Sequence, residues 1–371
     1  MSEATAGYTP ADHRHMARAL QLAAEAMNIT TPNPRVGCVL VRGEQVLGEG
    51  HTRPAGGPHA EAVALRDAAD ADVRGATAYV TLEPCSHHGR TPPCADALIA
   101  AGVARVVVAM QDPNPLVAGQ GLEKLRQAGI ETDCGLMEAE AQELNIGFVS
   151  RMTRGRPWLR IKAAASLDGK TALNNGASQW ITGPAARADG HRWRARACAI
   201  LTGIGTVRDD DPQLTVRLDG PQTEPRQPLK VIVDSRLDMP LTARVLQGGP
   251  ALIAAATDDA AKTAALRERG AEVVFLPDAR GKVDLDALMT ELARRGINEV
   301  HGEAGFRLNA SLMQAGLVDE LLLYLAPTLL GDAARGLFPL PELTDLSARR
   351  ELQIIDMRRL GGDIRILARP R

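Results

Sequence analysis

The sequence predicts an α/β protein that is divided into two domains. Strand-like apolar runs alternate with helical patterns in both halves, which is typical of strands covered by helices. The polar segment 151–157 interrupts the pattern, which restarts after it. Because a chain of 371 residues is too long for one ordinary domain, we place the domains at residues 1–150 and 151–371, with the linker at 151–157.

The first predicted elements are a helix and a hairpin. Asp12 is placed to cap a helix whose apolar side chains recur at helical spacing, and the Pro-rich segment 31–37 cannot continue it. Two short apolar runs, 39–41 and 46–47, flank a polar tetrapeptide and predict the hairpin. The other elements of this half are helices over 59–68, 94–101 and 121–128 and strands over 76–82 and 103–110.

The second half repeats the alternation of strands and helices. No Gly-x-Gly-x-x-Gly motif opens a strand-helix-strand unit, so the sequence does not predict a Rossmann-type cofactor site. Strands are predicted at 159–163, 199–202, 229–234, 251–256, 273–276, 299–301 and 321–325, and helices at 185–197, 285–295 and 308–315.

Composition excludes several classes of function. The formal net charge of −2 gives no electrostatic footprint for nucleic acid, and 3% aromatic residues offer few surfaces for stacking bases. No apolar run reaches the roughly 18 residues that span a membrane, and residues 1–10 lack the pattern of a secretory signal. Five cysteines, an odd and small number, favour a reducing compartment. We therefore expect a cytoplasmic protein.

Four residues of the first half have the types and spacing of a catalytic zinc site. His59, Cys85 and Cys94 offer one imidazole and two thiolates, which zinc prefers, and three ligands leave a fourth position for water. Two thiolates cancel the charge of Zn²⁺, so the water is acidified less than at an all-His site and needs a base. Glu61, two residues after His59, is placed for that role.

The spacing of the cysteines leaves an alternative open. The pattern His-x-Glu…Pro-Cys-x-x-Cys is typical of zinc deaminases that act on nucleobases, and the sequence matches it as far as Pro84 and Cys85. Eight residues, rather than two, then precede Cys94, so this insert must loop out and return. A structural zinc site closed by His87 or His88 is the alternative.

Three further side chains near this motif are candidates for substrate contact. His87 and Arg90 lie in the insert, which is too long to serve metal geometry alone, and their side chains suit a phosphorylated ligand. His51 precedes the first ligand by eight residues and is open between substrate contact and surface.

The insert and several shorter motifs resemble one bacterial enzyme family. The run Cys-Ser-His-His-Gly-Arg-Thr-Pro-Pro-Cys closely resembles that of the bifunctional deaminase-reductases of riboflavin biosynthesis. The resemblance extends over residues 12–365. Further matching motifs are Asn33–Gly37, Asp112–Pro115, Ser166–Lys170, Ser178–Thr182, Asp210–Pro212, Glu303–Gly305 and Gly316–Glu320.

This resemblance implies a fold and two activities. The first domain would be a cytidine-deaminase-like three-layer domain, and the second an α/β domain that looks like dihydrofolate reductase. The enzyme would deaminate a diamino-hydroxy-pyrimidine that carries a phosphoribosylamino group, and then reduce the opened ribose to ribityl. Its cofactors would be Zn²⁺ and NADPH, and its partner a small phosphorylated pyrimidine rather than nucleic acid or a membrane. A homo-oligomer is left open.

The resemblance also implies roles for individual residues. The catalytic set would be Glu61, Lys162, Asp210 and Glu303. The cofactor would contact Ala164, Trp180, Thr206, Asp210, Ser235, Gly305, Phe306, Arg307 and Leu308. The substrates would contact Asn33, His51, His87, Arg90, Ser178, Arg194, Leu214, Arg217 and Glu303.

Physical chemistry supports part of this assignment. Lys162 lies in an otherwise apolar strand, where a buried lysine is costly unless it is paired or functional, although a strand-end lysine could also reach solvent. Arg194 and Arg217 offer forked donors that suit phosphate, or they are simply solvated. Phe306 and Arg307 depart from the small residue or Pro that is frequent in the family. Arg307 either helps to select NADPH or is exposed.

Two other classes of protein remain to be distinguished. One is a single-activity nucleobase or nucleic-acid deaminase with a passenger domain, which the acidic charge balance and low aromatic content disfavour. The other is a non-catalytic zinc module that binds proteins.

Overall fold

Two β-sheets, one in each half of the chain, organise the fold. The computed structural model describes residues 7–69, 71–87, 92–115, 117–218 and 226–371. The chain forms two compact units, residues 1–155 and 156–371. None of the helices in the described ranges is both long and apolar enough to cross a membrane.

The first unit contains a five-stranded sheet and six helices within its described residues. In chain order these elements are α1 (Pro10–Glu25), β1 (Gly37–Arg42), β2 (Gln45–His51), α2 (Ala60–Asp67), β3 (Thr77–Val80), α3 (Cys94–Ala101), β4 (Arg105–Val108), α4 (Gln120–Gln127), β5 (Glu131–Cys134), α5 (Glu138–Leu144) and α6 (Ile146–Arg154). The strand order is β2-β1-β3-β4-β5, with β1 antiparallel to both neighbours and β3, β4 and β5 parallel.

Helices cover both faces of this sheet. Gly37 lies so close to α1 that a Cβ there would be 1.9 Å from the Ala19 carbonyl oxygen. The next residue, Cys38, pairs with Gly50, where a Cβ would be 2.5 Å from the Ala64 nitrogen of α2. Because successive strand residues face opposite sides, α1 and α2 lie on opposite faces. The predicted three-layer arrangement is therefore confirmed.

Two local predictions in this unit need correction. Thr9, rather than Asp12, is the N-cap of α1, and Asp12 completes a capping box by accepting the Thr9 backbone N–H at 2.8 Å. The expected linker 151–157 is helical as far as Arg154, because α6 continues until Gly155 ends it in a left-handed conformation.

The second unit contains a nine-stranded sheet. Its elements are β6 (Trp158–Ser166), β7 (Lys170–Ala172), α7 (Pro184–Arg196), β8 (Ala199–Gly203), α8 (Ile204–Asp210), β9 (Leu229–Val233), β10 (Ala251–Ala255), α9 (Ala260–Glu268), β11 (Ala271–Phe275), α10 (Leu285–Arg294), β12 (Glu299–Gly302), α11 (Phe306–Gln314), β13 (Glu320–Ala326), β14 (Arg335–Gly336), β15 (Leu352–Leu360) and β16 (Asp363–Pro370). Short 3₁₀ turns lie at Arg244–Leu246 and Leu346–Ala348.

Parallel pairing dominates the larger sheet. The strand order is β11-β10-β9-β8-β12-β6-β13-β16-β15, parallel from β11 to β13, with β16 and β15 added antiparallel. Neighbouring residues of one strand, such as Ile200 and Leu201, belong to different hydrophobic clusters. Apolar cores therefore cover both faces, as parallel sheets require. β7 and β14 form a separate ribbon.

Two candidate active sites

Two helix starts and one strand end bring the predicted zinc ligands together. His59 is the N-cap residue of α2, Cys94 is the first residue of α3, and Cys85 follows β3 after Pro84. His59 Nδ1 lies 3.6 Å from Cys85 Sγ and 3.4 Å from Cys94 Sγ. These atoms form a cluster suited to one metal ion among the described residues.

The geometry of this cluster fits zinc. Tetrahedral zinc with its usual bonds to nitrogen and sulfur would place those atoms about 3.6 Å apart, close to both observed distances. The backbone N–H of Cys94 donates to Cys85 Sγ at 3.3 Å, which favours a thiolate there. His87 is exposed and is not part of the cluster. His88 and Arg90 lie outside the described residues.

Glu61 lies beside the cluster without belonging to it. This residue is in the first turn of α2, two residues after His59, and is 3% exposed. Burial, and after it the charge of Cys85, raises the pKa of Glu61 to about 7. A carboxyl group with such a pKa both accepts and donates a proton near neutrality.

The other substrate candidates of this unit lie outside the cluster. The Asn33 backbone N–H donates to the Thr30 carbonyl at 2.8 Å. His51 is half-buried, with Nδ1 3.6 Å from Glu25 Oε2 and Nε2 3.2 Å from Arg53 Nη1. Burial and then the charge of Arg53 lower the pKa of His51. Both ring nitrogens of His51 therefore face neighbouring side chains of the protein rather than solvent alone.

The sequence did not predict a role for Glu83, whose carboxylate binds backbone groups next to the zinc-ligand cluster. Its buried carboxylate accepts backbone N–H groups of Asp112, Gly119, Gly121 and Leu122 at 2.8–3.3 Å. Glu83 therefore ties the start of α4 to the segment that leads into the first cysteine ligand. No sequence signal distinguishes it from a surface carboxylate.

The second candidate site is a cavity of 590 Å³ near the carboxyl ends of β6, β8 and β12. These strands are neighbours in the order β8-β12-β6, and ligands of open α/β sheets bind outside such ends. Of the predicted residues, twelve line the wall: Lys162, Ala164, Ser178, Trp180, Arg194, Thr206, Asp210, Leu214, Arg217, Glu303, Gly305 and Phe306.

Lys162, Arg194 and Glu303 form the charged centre of this cavity. The Arg194 guanidinium donates to both oxygens of Glu303, through Nε and, at 2.8 Å, through Nη2. Burial opposes ionisation of Glu303, but Arg194, through its charge and hydrogen bonds, holds the pKa of Glu303 below its usual range. Burial lowers the pKa of Lys162, and the charge of Glu303 opposes that shift.

Arg194 also has partners within the protein. Besides Glu303, its Nη1 donates to the Thr215 carbonyl at 3.0 Å. Arg194 therefore orients the Glu303 carboxylate and keeps it ionised, and both Arg194 and the exposed Arg217 line the cavity.

Three predicted cofactor contacts lie outside the wall. Ser235 Oγ accepts the Val283 backbone N–H at 3.1 Å, and Leu308 packs against the hydrophobic core. Arg307 is exposed, with its guanidinium 5.7 Å from the ring centre of Phe306. The backbone N–H of Gly305, at the wall, donates to Thr206 Oγ1 at 3.1 Å.

Several residues of this region carried no sequence signal. Arg187 lines the wall, with its guanidinium 4.7 Å from the ring centre of Trp180. Arg244 and Asn309 also line it. His191, on α7, is half-buried, and its Nδ1 accepts the backbone N–H of Arg217 at 3.3 Å.

The fold and these sites define a two-domain α/β enzyme with a deaminase-type zinc centre and a cation-rich cavity. Residues 9–110 match the family model of the cytidine and deoxycytidylate deaminase zinc-binding region, and residues 157–366 match that of the RibD C-terminal domain. The chain belongs to the RibD family of riboflavin biosynthesis proteins.

Full-length relatives support this membership. The riboflavin biosynthesis protein RibD of Escherichia coli is 49% identical over 363 residues, which cover 95% of this chain and 98% of that protein. A structure of Acinetobacter baumannii RibD is 43% identical with a TM-score of 0.90, covering 97% of this chain and 99% of its own. A Thermotoga maritima deaminase/reductase is 32% identical with a TM-score of 0.86 and the same coverage.

Membership confirms the predicted fold class and enzyme class. The chain is a bifunctional deaminase and reductase of riboflavin biosynthesis, with zinc in its deaminase domain and NADPH as the cofactor of its reductase domain. A deaminase with an unrelated passenger domain is not favoured, because the second unit matches the RibD C-terminal domain.

Proposed function

We propose that residues 1–150 deaminate a diamino-hydroxy-pyrimidine bearing a phosphoribosylamino group, and that residues 151–371 reduce its ribosyl chain to ribityl with NADPH. The observation that carries the proposal is the buried Glu61 beside the cluster of His59, Cys85 and Cys94. The T. maritima relative is described as acting in both steps, on a diaminohydroxyphosphoribosylaminopyrimidine and on a 5-amino-6-(5-phosphoribosylamino)uracil.

In the first step, water replaces an amino group and ammonia leaves. When bound by His59, Cys85 and Cys94, zinc supplies the Lewis acidity that makes water nucleophilic at neutral pH. Glu61 accepts the proton that the water loses and returns it to the departing amine. Its burial excludes bulk water from this transfer, and its place in the first turn of α2, two residues after His59, keeps the carboxylate beside the cluster.

In the second step, the opened ribose gains a hydride and a proton. NADPH, when bound, supplies the hydride. Lys162 directs its ammonium group toward oxygen that gains negative charge, and a preorganised cation in a water-poor site stabilises that charge by a few kcal/mol. Glu303, kept ionised by Arg194, orients Lys162 electrostatically and offers an acceptor to a ribose hydroxyl.

Product analysis tests both steps on one sample. The purified protein is incubated with the diamino-pyrimidine phosphoriboside, with and without NADPH, and the products are identified by mass. Without NADPH we expect one amino group to be exchanged for oxygen, and with NADPH the further gain of two hydrogens. Unchanged substrate in a folded, zinc-loaded protein would contradict the proposal.

We further propose that the protein acts in the cytoplasm and on free small molecules. The net charge of −2 and the low aromatic content support this, because nucleic-acid binding relies on basic surface and base stacking. A homo-oligomer is compatible with these features, and the molecular mass in solution decides it.

A further inference from the structure

The ring of Tyr324 lies next to Lys162, which lines the reductase cavity. Lys162 is on β6, and Tyr324 is on the neighbouring strand β13, where it pairs with Ala164. Because residues two apart share one face of a strand, Lys162 and Tyr324 are diagonal neighbours on one face of the sheet. The ammonium nitrogen of Lys162 is 5.9 Å from the centre of the Tyr324 ring, which is within the range of cation–π attraction.

The hydroxyl group of Tyr324 fixes the position of this ring. Tyr324 is 1% exposed, and its O–H donates to Asp189 Oδ2, on α7, at 2.8 Å. The same carboxylate oxygen accepts a hydrogen bond from Arg365 Nη1, on β16, at 3.1 Å. Burial, and then the charge of Asp189, raise the pKa of Tyr324, so the hydroxyl stays protonated and remains a donor. The ring is therefore held both by the covering helix and by the next strand.

The ammonium group of Lys162 keeps its own donors unoccupied. It forms no hydrogen bond or ion pair with a residue in the described ranges, and Glu303 acts on it through charge alone. A carboxylate at hydrogen-bond distance would occupy at least one of the three N–H donors of a lysine, whereas the face of a ring attracts the charge as a whole. The N–H groups of Lys162 thus remain available to a ligand in the cavity.

We propose that Tyr324 is a positioning residue for Lys162. Its ring holds the ammonium group by cation–π attraction and leaves the N–H donors free for the oxygen that gains negative charge during reduction. The inference rests on the proposed function for the role of Lys162. It assigns to Tyr324 an effect on the rate of reduction, although Tyr324 is buried behind the residues that line the cavity.

A series of fluorinated rings at position 324 separates cation–π attraction from packing. Fluorine withdraws electron density from the face of a ring and changes the size of the ring little. In the full-length enzyme, Tyr324→Phe keeps the ring and should retain most of the reductase kcat. Replacement of Tyr324 by mono-, di- and trifluorinated phenylalanine should lower kcat step by step, by about tenfold at the end of the series.

Controls in the same protein identify other causes. Deamination and the temperature of thermal unfolding should stay constant across the series, because the size and burial of the ring barely change. The same fluorinated residues at Phe275, which is exposed on the edge strand β11, should leave the reductase kcat unchanged. A kcat that does not depend on the number of fluorine atoms at position 324 would overturn the proposal. A fall in kcat that only parallels a loss of thermal stability would also overturn it, because the role would be structural.

A measurement on Lys162 itself keeps the proposal testable if the proposed function fails. An electron-rich ring favours the charged form of the amine, so the pKa of Lys162 should fall as fluorine is added at position 324. NMR of the full-length protein with isotope-labelled lysine follows this pKa, and the signal is identified by its absence in Lys162→Met. Normal reduction by Lys162→Met would contradict the proposed function alone. An unchanged pKa of Lys162 across the series would show that the ring does not act on the ammonium group.

Discussion

At the scale of single residues, Glu61 combines burial with a position beside the predicted zinc ligands. Its carboxyl group is withdrawn from solvent beside the zinc ligands, whereas Glu44, in the turn between β1 and β2, is exposed. The proposed proton transfer depends on the carboxyl group itself and not on its size. A variant that keeps the shape and removes the acid therefore separates chemistry from folding.

Glu61→Gln should retain zinc and lose deamination by about 10²-fold or more, the usual contribution of general acid–base catalysis. Metal analysis and the rate of ammonia release measure the two effects. Glu44→Gln, in the exposed turn between β1 and β2, is the surface control and should behave as wild type. Near-normal deamination in Glu61→Gln would exclude Glu61 as the proton carrier.

The buried His301 should make the free energy of unfolding of the second unit depend on pH. This fully buried residue has a pKa lowered to about 3, mainly by burial, with Arg160 and Arg194 adding to the shift. The unfolded chain binds a proton near pH 6.5, whereas the folded chain does not, so this contribution to stability is complete above pH 6.5 and is lost as the pH falls toward 3. Each pH unit in that window removes up to about 1.4 kcal/mol.

Urea unfolding of the second unit at pH 7 and pH 5 measures this effect. His301→Leu should lose less stability between the two pH values than wild type, whereas exposed His13→Leu should match wild type. The idea fails if His301→Leu keeps the full pH dependence.

Residue chemistry also explains which site residues the sequence could predict. Histidine and cysteine are uncommon in this sequence, and they are the residue types that zinc prefers. The pattern of His59, Cys85 and Cys94 therefore indicates zinc by itself. Glu83 and His191 act through backbone groups and neighbours that are distant in sequence. Carboxylates and histidines are ordinary on surfaces, so only the folded contacts distinguish these two.

At the scale of elements, α4 approaches the segment before the first cysteine ligand. A Cβ at Gly121 would lie 2.0 Å from the Pro84 carbonyl oxygen, and the Gly121 N–H donates to Glu83 at 2.8 Å. Because Gly121 has no side chain, the start of α4 can pack directly against the Pro84 carbonyl. This contact helps to fix the position of Pro84 and of the next residue, Cys85.

Gly121→Ala should destabilise the first unit by about 1–3 kcal/mol, as overpacking does, and weaken zinc retention. Thermal unfolding and resistance of the zinc to a chelator measure the two effects. Gly190→Ala, a helical position where a Cβ meets nothing within 4 Å, should leave both unchanged. Unimpaired zinc retention in Gly121→Ala would separate the helix contact from the metal site.

Elements with strong periodicity were predictable, and weak or polar ones were not. The hairpin of β1 and β2, the helix α3 and most apolar strands match their predictions, but the partly buried β16 was not predicted. The sequence did not reveal β15, whose residues are mostly exposed, or α5, which buries one alanine. Such elements depend on tertiary contacts, so their own sequence carries little signal.

At the scale of the whole molecule, the two proposed activities use separate residues. Lys162→Met should abolish NADPH oxidation with pre-deaminated substrate and leave deamination unchanged. Glu61→Gln should do the reverse. Parallel assays on the same preparations measure both rates. Loss of both activities from either change, in a protein that stays folded, would replace two independent sites with one coupled system.

The order of strands in the larger sheet has a consequence for synthesis on the ribosome. β6 pairs with β12, which the ribosome makes about 130 residues later, and with β13, which follows about 20 residues after that. At 5–20 residues per second, β6 waits roughly 7–26 s for its first partner. The zinc ligands, which span only residues 59–94, are all synthesised before β6 emerges. All three ligands are thus available before β6, whose apolar residues have no partner strand until β12 is made.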